Sequence, residues 1–281
     1  MKTGITGATG QLGKLVVTKL KERTDASQLV GLVRNPEKGA DLGIELRAFD
    51  YTQPDKLAES LKGIDQLLLI SANEVGKRKA QHENVIKAAV EAGVKRIVYT
   101  SILRADTSTI SLALEHKQTE EMIKASGLNY TILRNGWYTE NYANGIHGAV
   151  QAGALIGVSG EGRISAAPRA DYAEAAAVVL TTEGHDGQIY ELGGDESFTL
   201  SQLAAEISRQ TGREIPYNNL TVEEYTEALK SLGLPEFIAQ AIAGWDVEAA
   251  KDQLYDESKT LSRLLGHPTT PLAETVKAIL G

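Results

Sequence analysis

Apolar and polar positions follow two rhythms in the first half of this chain. Short aliphatic runs at Lys2–Thr6, Gln28–Val33, Ile44–Phe49, Ile64–Ile70, Val94–Thr100 and Leu128–Leu133 read as strands. Between them apolar residues recur at helical spacing. Leu12, Leu15, Val16 and Leu20 mark one such face, and Val85, Ile86, Ala89 and Val90 mark another. Unbroken runs such as Leu67-Leu68-Leu69-Ile70 suit strands covered on both sides. Strands alternating with helices predict right-handed βαβ units, so the expected fold class is α/β, with a doubly wound parallel sheet.

The second half is less regular. Gly153 to Gly162 reads as loop, strand and turn, Ala170–Leu180 as a helix, and Ile189–Leu192 as a short strand. Thr199–Thr211 reads as a helix capped by Thr199 or Ser201 and closed by Gly212. Ile215–Asn218 reads as a strand, and Val222–Leu232 as a helix halted by Gly233-Leu234-Pro235. Thr260–Leu265 and Leu272–Leu280 read as further helical turns. No repeat and no linker separates the halves. We therefore expect residues 1–135 to form the sheet domain, with segments of 150–192 returning to it. Residues 136–281 then form a smaller α/β region for the substrate, packed directly on the first.

Composition adds exclusions. The chain has 281 residues, 42% hydrophobic and 23% charged, as in ordinary globular proteins. Its 29 Lys and Arg against 37 Asp and Glu leave a formal net charge of −8, a surface that repels nucleic acid and acidic membranes. No apolar run approaches the roughly 20 residues of a membrane span. No leader-like segment precedes the first strand, so a soluble cytoplasmic protein is expected. A homodimer is compatible with these features. Cysteine is absent, which excludes disulfides and thiolate chemistry. The five histidines lack close metal-ligand spacing, so no metal is expected.

The sharpest signal is the turn Gly7-Ala8-Thr9-Gly10-Gln11-Leu12-Gly13. It follows the first strand and opens the first helix, the context of a Rossmann dinucleotide site. Gly7 suits dihedrals closed to other residues, Gly10 lets backbone approach a pyrophosphate, and Gly13 lets the helix pack close to the sheet. Arg34 lies about 20 residues past this turn, where NAD sites often carry an acid for the ribose hydroxyl. A guanidinium there pairs with a 2′-phosphate, so NADP(H) is expected, with NADPH preferred over NADH. The competing reading of Arg34 is a solvated surface side chain. Asp50 and Tyr51 close the third strand and suit an adenine, although a turn-forming Asp explains the same residue. Ile70, Ser71 and Ala72 leave the fourth strand at the carboxyl edge, where ligands sit in open α/β sheets. Gly4, inside the first strand, has no functional reading.

The turn Asn135-Gly136-Trp137-Tyr138 after the sixth strand reaches the same edge. Trp137, Tyr138 and Tyr142 suit stacking on a flat substrate, in a chain with only 5% aromatic residues. A packed loop joining two regions would look alike. No flavin motif appears beyond the one dinucleotide turn.

The glycine turn, Val33-Arg34-Asn35-Pro36 and Tyr130–Tyr138 together resemble the NmrA-like branch of the atypical short-chain dehydrogenases. Further matches are Leu67–Ser71, Arg169-Ala170-Asp171-Tyr172-Ala173 and Leu265–Thr270, so the resemblance spans the chain. The stretch from Pro36 to Glu45 is shorter than that pattern, which leaves a second helix and Lys38 without a clear counterpart. The resemblance implies that His116 takes the place of the usual active-site Lys and Leu112 that of the usual Tyr. A ketone reduced by hydride needs a proton donor, because its alkoxide is strongly basic. A quinone does not, because its product anion is delocalised. The resemblance therefore implies flavin-free hydride transfer from NADPH to a quinone, with His116, Tyr138 and Asn141 as catalytic candidates. Cofactor contacts are expected from Asn135, Gly136, Trp137 and Tyr138. A reductase of triarylmethane dyes or other planar acceptors is the nearest alternative, and a non-catalytic NADP(H) sensor the more distant one. His116 is read either as a ligand to ribose or nicotinamide or as a structural histidine satisfied by Glu120.

Overall fold

Period-two alternation inside the apolar runs gives each central strand two buried faces, and helices cover both. The computed structural model describes all 281 residues. Six strands and four helices alternate first: β1 (Thr3–Thr6), α1 (Gln11–Lys21), β2 (Leu29–Val33), β3 (Glu45–Ala48), α2 (Pro54–Ser60), β4 (Gln66–Leu69), α3 (Arg78–Glu91), β5 (Arg96–Ile102), α4 (Ala113–Ala125) and β6 (Asn129–Asn135). There follow α5 (Ala143–Ala152), β7 (Leu155–Gly157), α6 (Arg169–Thr181) and β8 (Ile189–Leu192). The chain ends through α7 (Leu200–Thr211), β9 (Tyr217–Asn219), α8 (Val222–Ser231), α9 (Glu236–Ala249), α10 (Thr260–Leu265) and α11 (Leu272–Leu280).

Seven strands form one parallel sheet in the order β3-β2-β1-β4-β5-β6-β8. The expected α/β, doubly wound Rossmann architecture is what forms. Strand order reverses between β1 and β4, which opens a crevice at their carboxyl ends. Leu68, Val98 and Leu133 bury one face of the sheet in a core shared with α1, α6 and α10. Their neighbours Leu67, Leu69, Ile97, Tyr99 and Ile132 bury the other in a core shared with α2, α3 and α4. A third core gathers Ile146, Ile164, Phe198, Leu203, Ile207 and Val276, and β7 pairs with β9 beside it.

Gly4 has a packing explanation. A Cβ there would lie 3.0 Å from Leu32 Cδ1 and 3.2 Å from both Ile64 Cγ2 and Leu67 Cδ1. Between Pro36 and Leu42 the chain makes only a 3-10 helix, which the short spacing accommodates. Thr199, not Ser201, caps α7, in a reciprocal box with Gln202. Helix α9 leaves little periodic signal in the sequence, because its inward positions Ala239, Ala243 and Ala249 are small.

One buried ion pair ties these elements together. Arg134 of β6 donates Nε to Glu120 Oε1 at 2.9 Å and Nη2 to Glu120 Oε2 at 2.7 Å. Its Nη1 reaches Glu191 of β8 at 2.7 Å and Asp106 at 2.9 Å, while Ser101 of β5 donates to Glu120 at 2.7 Å. Burial opposes the charge on Arg134. Glu120 and Glu191 more than offset it, so the guanidinium is held above its ordinary pKa.

Two substitutions test this account. In Glu120→Ala the Arg134 guanidinium keeps only Glu191 and Asp106, and urea denaturation should show a loss of about 3 kcal/mol. A loss below about 1 kcal/mol, the value of an exposed pair, would show that the network carries no stability. In Gly13→Ala the new methyl would stand 2.2 Å from Gly7 O, so α1 must move off the sheet. The thermal midpoint should fall by several degrees, and an unchanged midpoint would contradict that packing.

Candidate active site

The glycine turn is built as the sequence suggests. Gly7 has φ of 60°, a conformation costly for other residues, and its N–H donates to Leu32 O at 2.9 Å. Gly10 donates to Gly7 O at 2.8 Å and precedes α1. No side chain caps that helix, and its first turn carries no acid. Its free N–H groups and positive dipole end therefore face the crevice open to an anion. Ala8 and Leu12 are buried, while Gln11 and Gly10 are exposed beside the half-buried Thr9. The cradle thus presents mostly backbone, as a pyrophosphate requires.

Arg34 stands at the end of β2 with its side chain 74% exposed, and Glu74 at 4.0 Å is its one partner within ion-pair distance. Lys38 is exposed on the short 3-10 helix. Asp50 accepts from Thr52 N at 3.0 Å and Thr52 Oγ1 at 2.8 Å, the arrangement of a turn-forming Asp. Those hydrogen bonds hold its carboxyl below the usual range. Tyr51 donates its hydroxyl to Ile70 O at 3.1 Å, so its phenol braces the edge.

Ile70, Ser71 and Ala72 reach the carboxyl edge, but their N–H groups are already taken. They donate to Thr6 Oγ1, Thr100 Oγ1 and His82 Nε2, each at 2.9 Å. Arg78 Nε closes the set by donating to Ala72 O at 2.8 Å. This segment can shape a cofactor site but has no N–H to give. His82 accepts at Nε2, so Nδ1 carries the proton and donates to Thr119 Oγ1 at 3.0 Å. Burial, then the charge of Arg78, pushes His82 down to about 3, which keeps it neutral.

His116 is buried on α4, and Glu120 does not satisfy it. Glu120 is committed to Arg134 and Ser101, whereas His116 Nδ1 pairs with the Tyr99 hydroxyl at 2.7 Å. Burial raises the Tyr99 phenol, so it keeps its proton and donates. Burial, then Arg78 and His82, holds His116 well below its ordinary pKa. The ring is therefore a neutral group fixed by a second aromatic side chain. Leu112, one residue before α4, packs on the third core.

The turn after β6 divides its side chains between two cores. Trp137 meets Trp245 at 5.8 Å and Tyr142 meets Phe198 at 5.9 Å, both on the third core. Tyr138 packs the other way, 5.2 Å from Tyr172 and beneath the Arg169 guanidinium. The packed-loop reading describes Trp137 and Tyr142. Gly136 makes room for protein: a Cβ there would stand 2.9 Å from Leu192 O, 3.0 Å from Tyr172 Oη and 3.1 Å from Ser165 O. Asn141 is exposed, and its Oδ1 accepts from Arg169 at 2.9 Å. Asn135 is buried; its Nδ2 donates to Tyr138 Oη at 3.3 Å, and its Oδ1 has no donor.

Sequence reasoning missed Thr6, His82, Arg78, Tyr99, Thr100 and Glu74. Thr6 and Thr100 left a signal, as hydroxyls near the carboxyl ends of predicted strands. The remainder are set by contacts between distant segments.

The comparisons agree with this geometry. The family described as NAD(P)H-binding matches residues 7–183. Quinone oxidoreductase 2 of Escherichia coli (strain K12) is 53% identical over 97% of this chain and 96% of its own length. The crystal structure of the Escherichia coli NADPH-dependent quinone oxidoreductase complexed with NADPH superposes with a TM-score of 0.97. It is 51% identical and covers 99% of this chain and 100% of that one. The Citrobacter sp. triphenylmethane reductase superposes with a TM-score of 0.96 at 37% identity, covering 100% of this chain and 99% of that one. The NmrA-like resemblance is borne out, and the chain belongs to the NAD(P)H-binding family, together with quinone oxidoreductase 2.

Proposed function

We propose that this protein is an NADPH-dependent reductase that delivers a hydride directly to a quinone, without flavin or metal. The observation that carries the reading is the uncapped α1 cradle at the strand-order reversal, with Arg34 exposed at the end of β2. The 53% identity to quinone oxidoreductase 2 supports it.

The residues fit the cofactor. Gly7, Gly10 and Gly13 keep side chains out of the space before α1, and the N–H groups there take the pyrophosphate. Arg34 takes the 2′-phosphate, and Tyr51 and the fully engaged Ile70–Ala72 segment wall the crevice. Asn135 offers an unused acceptor at the sheet edge beside Tyr138. NADPH, when bound, supplies the hydride. His116 and Tyr138 serve to orient the reactants: buried His116 is held at Nδ1 by the Tyr99 hydroxyl, and half-buried Tyr138 accepts from Asn135 Nδ2 at its hydroxyl. The region within 136–281 covers the crevice and receives the flat acceptor. A quinone becomes a hydroquinone by taking one hydride and one proton, and water suffices for the proton because the anion is delocalised. Leu112 thus costs the reaction nothing, whereas for a ketone its lack of an acid would be disabling.

The assay is oxidation of NADPH or NADH followed by absorbance with benzoquinone, a naphthoquinone or a cationic triarylmethane dye. Quinone turnover with NADPH is expected. Tight NADPH binding without turnover on any acceptor would favour a sensor and overturn the proposal. Arg34→Ala should weaken NADPH about tenfold or more and leave NADH nearly unchanged, the scale of a charged hydrogen-bonded pair. Equal weakening would remove Arg34 from the phosphate site.

The buried histidine sets a second expectation. Because His116 stays neutral, kcat/KM for the quinone should show no histidine titration between about pH 5 and 8. A limb near pH 6.5 that disappears in His116→Asn would instead make the ring a proton carrier.

A further inference from the structure

We propose that Glu74 is a specificity-determining residue, a carboxylate that competes with the 2′-phosphate for Arg34 and so narrows the preference for NADPH over NADH. The inference rests on the NADPH reading above and extends it to a residue in a different loop. Acids that select NAD commonly sit at the end of the second strand. Here Arg34 holds that place, and the acid arrives from the segment after β4.

That segment is clamped on both sides of Glu74. Before it, Ala72 donates to His82 at 2.9 Å and accepts from Arg78 at 2.8 Å. After it, Gly76 N donates to Glu115 Oε1 at 3.1 Å. Arg78 and Glu115 also meet each other at 3.4 Å, with both side chains largely buried. Only three residues, Asn73, Glu74 and Val75, lie between the tied points, so Glu74 cannot swing far from the crevice. Its carboxylate stands 4.0 Å from Arg34 Nη1 and 3.3 Å from Lys77 Nζ. Arg34 has no other acidic partner within ion-pair distance, and Asp50 is held by Thr52. A 2′-phosphate arriving at Arg34 brings its negative charge beside Glu74, and the two repel. A 2′-hydroxyl brings no charge and can donate to the carboxylate. Glu74 therefore penalises NADPH alone. Both side chains are partly exposed, so the penalty is that of a surface charge pair and is screened by salt.

The test measures NADPH and NADH dissociation constants by nicotinamide fluorescence on the full-length protein, Glu74→Gln, Arg34→Ala and the double variant. Glu74→Gln should tighten NADPH about three- to fivefold without tightening NADH. The gain should vanish at about 0.5 M salt and in the Arg34→Ala background. If Arg34→Ala lowers NADPH selectively but Glu74→Gln leaves the NADPH-to-NADH ratio unchanged, the Glu74 proposal fails and the cofactor reading stands. If Arg34→Ala leaves that ratio unchanged as well, Arg34 is not the phosphate residue and both fall.

Discussion

The pairing of Arg134 with Glu120 is the contact on which the site edge depends. Two opposite charges nearly free of solvent are costly unless every polar atom finds a partner, and here Ser101, Asp106 and Glu191 complete the set. The pair joins β5, β6, β8 and α4 at their carboxyl side. It thereby fixes the helix that carries His116 against the strand that carries Tyr99. Because Glu120 is spent on this pair, His116 takes Tyr99 instead. The neutral, immobile imidazole is thus a consequence of how a neighbouring charge was satisfied.

An acidic protein can hold a cofactor rich in negative charge because the relevant field is local. The net charge of −8 acts over the whole surface and is screened within about 8 Å at physiological salt. At the crevice the deciding groups are the unpaired N–H donors of α1 and one guanidinium. The same reasoning makes acids close to Arg34 consequential, whereas those far around the molecule are not.

Much of the fold was legible because burial on two faces leaves a strong imprint. Leu67-Leu68-Leu69 could hardly be anything but a central strand, and Gly13 announced a helix pressed onto its neighbour. Partner choice was less legible. Glu120 lies four residues from His116 and looked like its natural partner, but both point from the same buried face toward different strands. The packing of the aromatic turn was illegible for a related reason: Trp137 and Tyr142 lie half-buried against a core that exists only once α7 and α9 have packed. Family-specific segments also proved to be framework. Thr270 donates N–H and hydroxyl to Asp171 at 2.8 and 2.9 Å, so two motifs about a hundred residues apart in sequence form one clasp.

The return of the chain through α6 to β8 has a consequence for how the molecule assembles. Strand β6 holds Ile132 and Leu133 fully enclosed, and β8 covers its outer edge. Until that strand arrives, the first six strands expose a sticky, unpaired ladder of the kind that recruits other chains. Closure of that edge therefore depends on a strand the chain supplies only after α6.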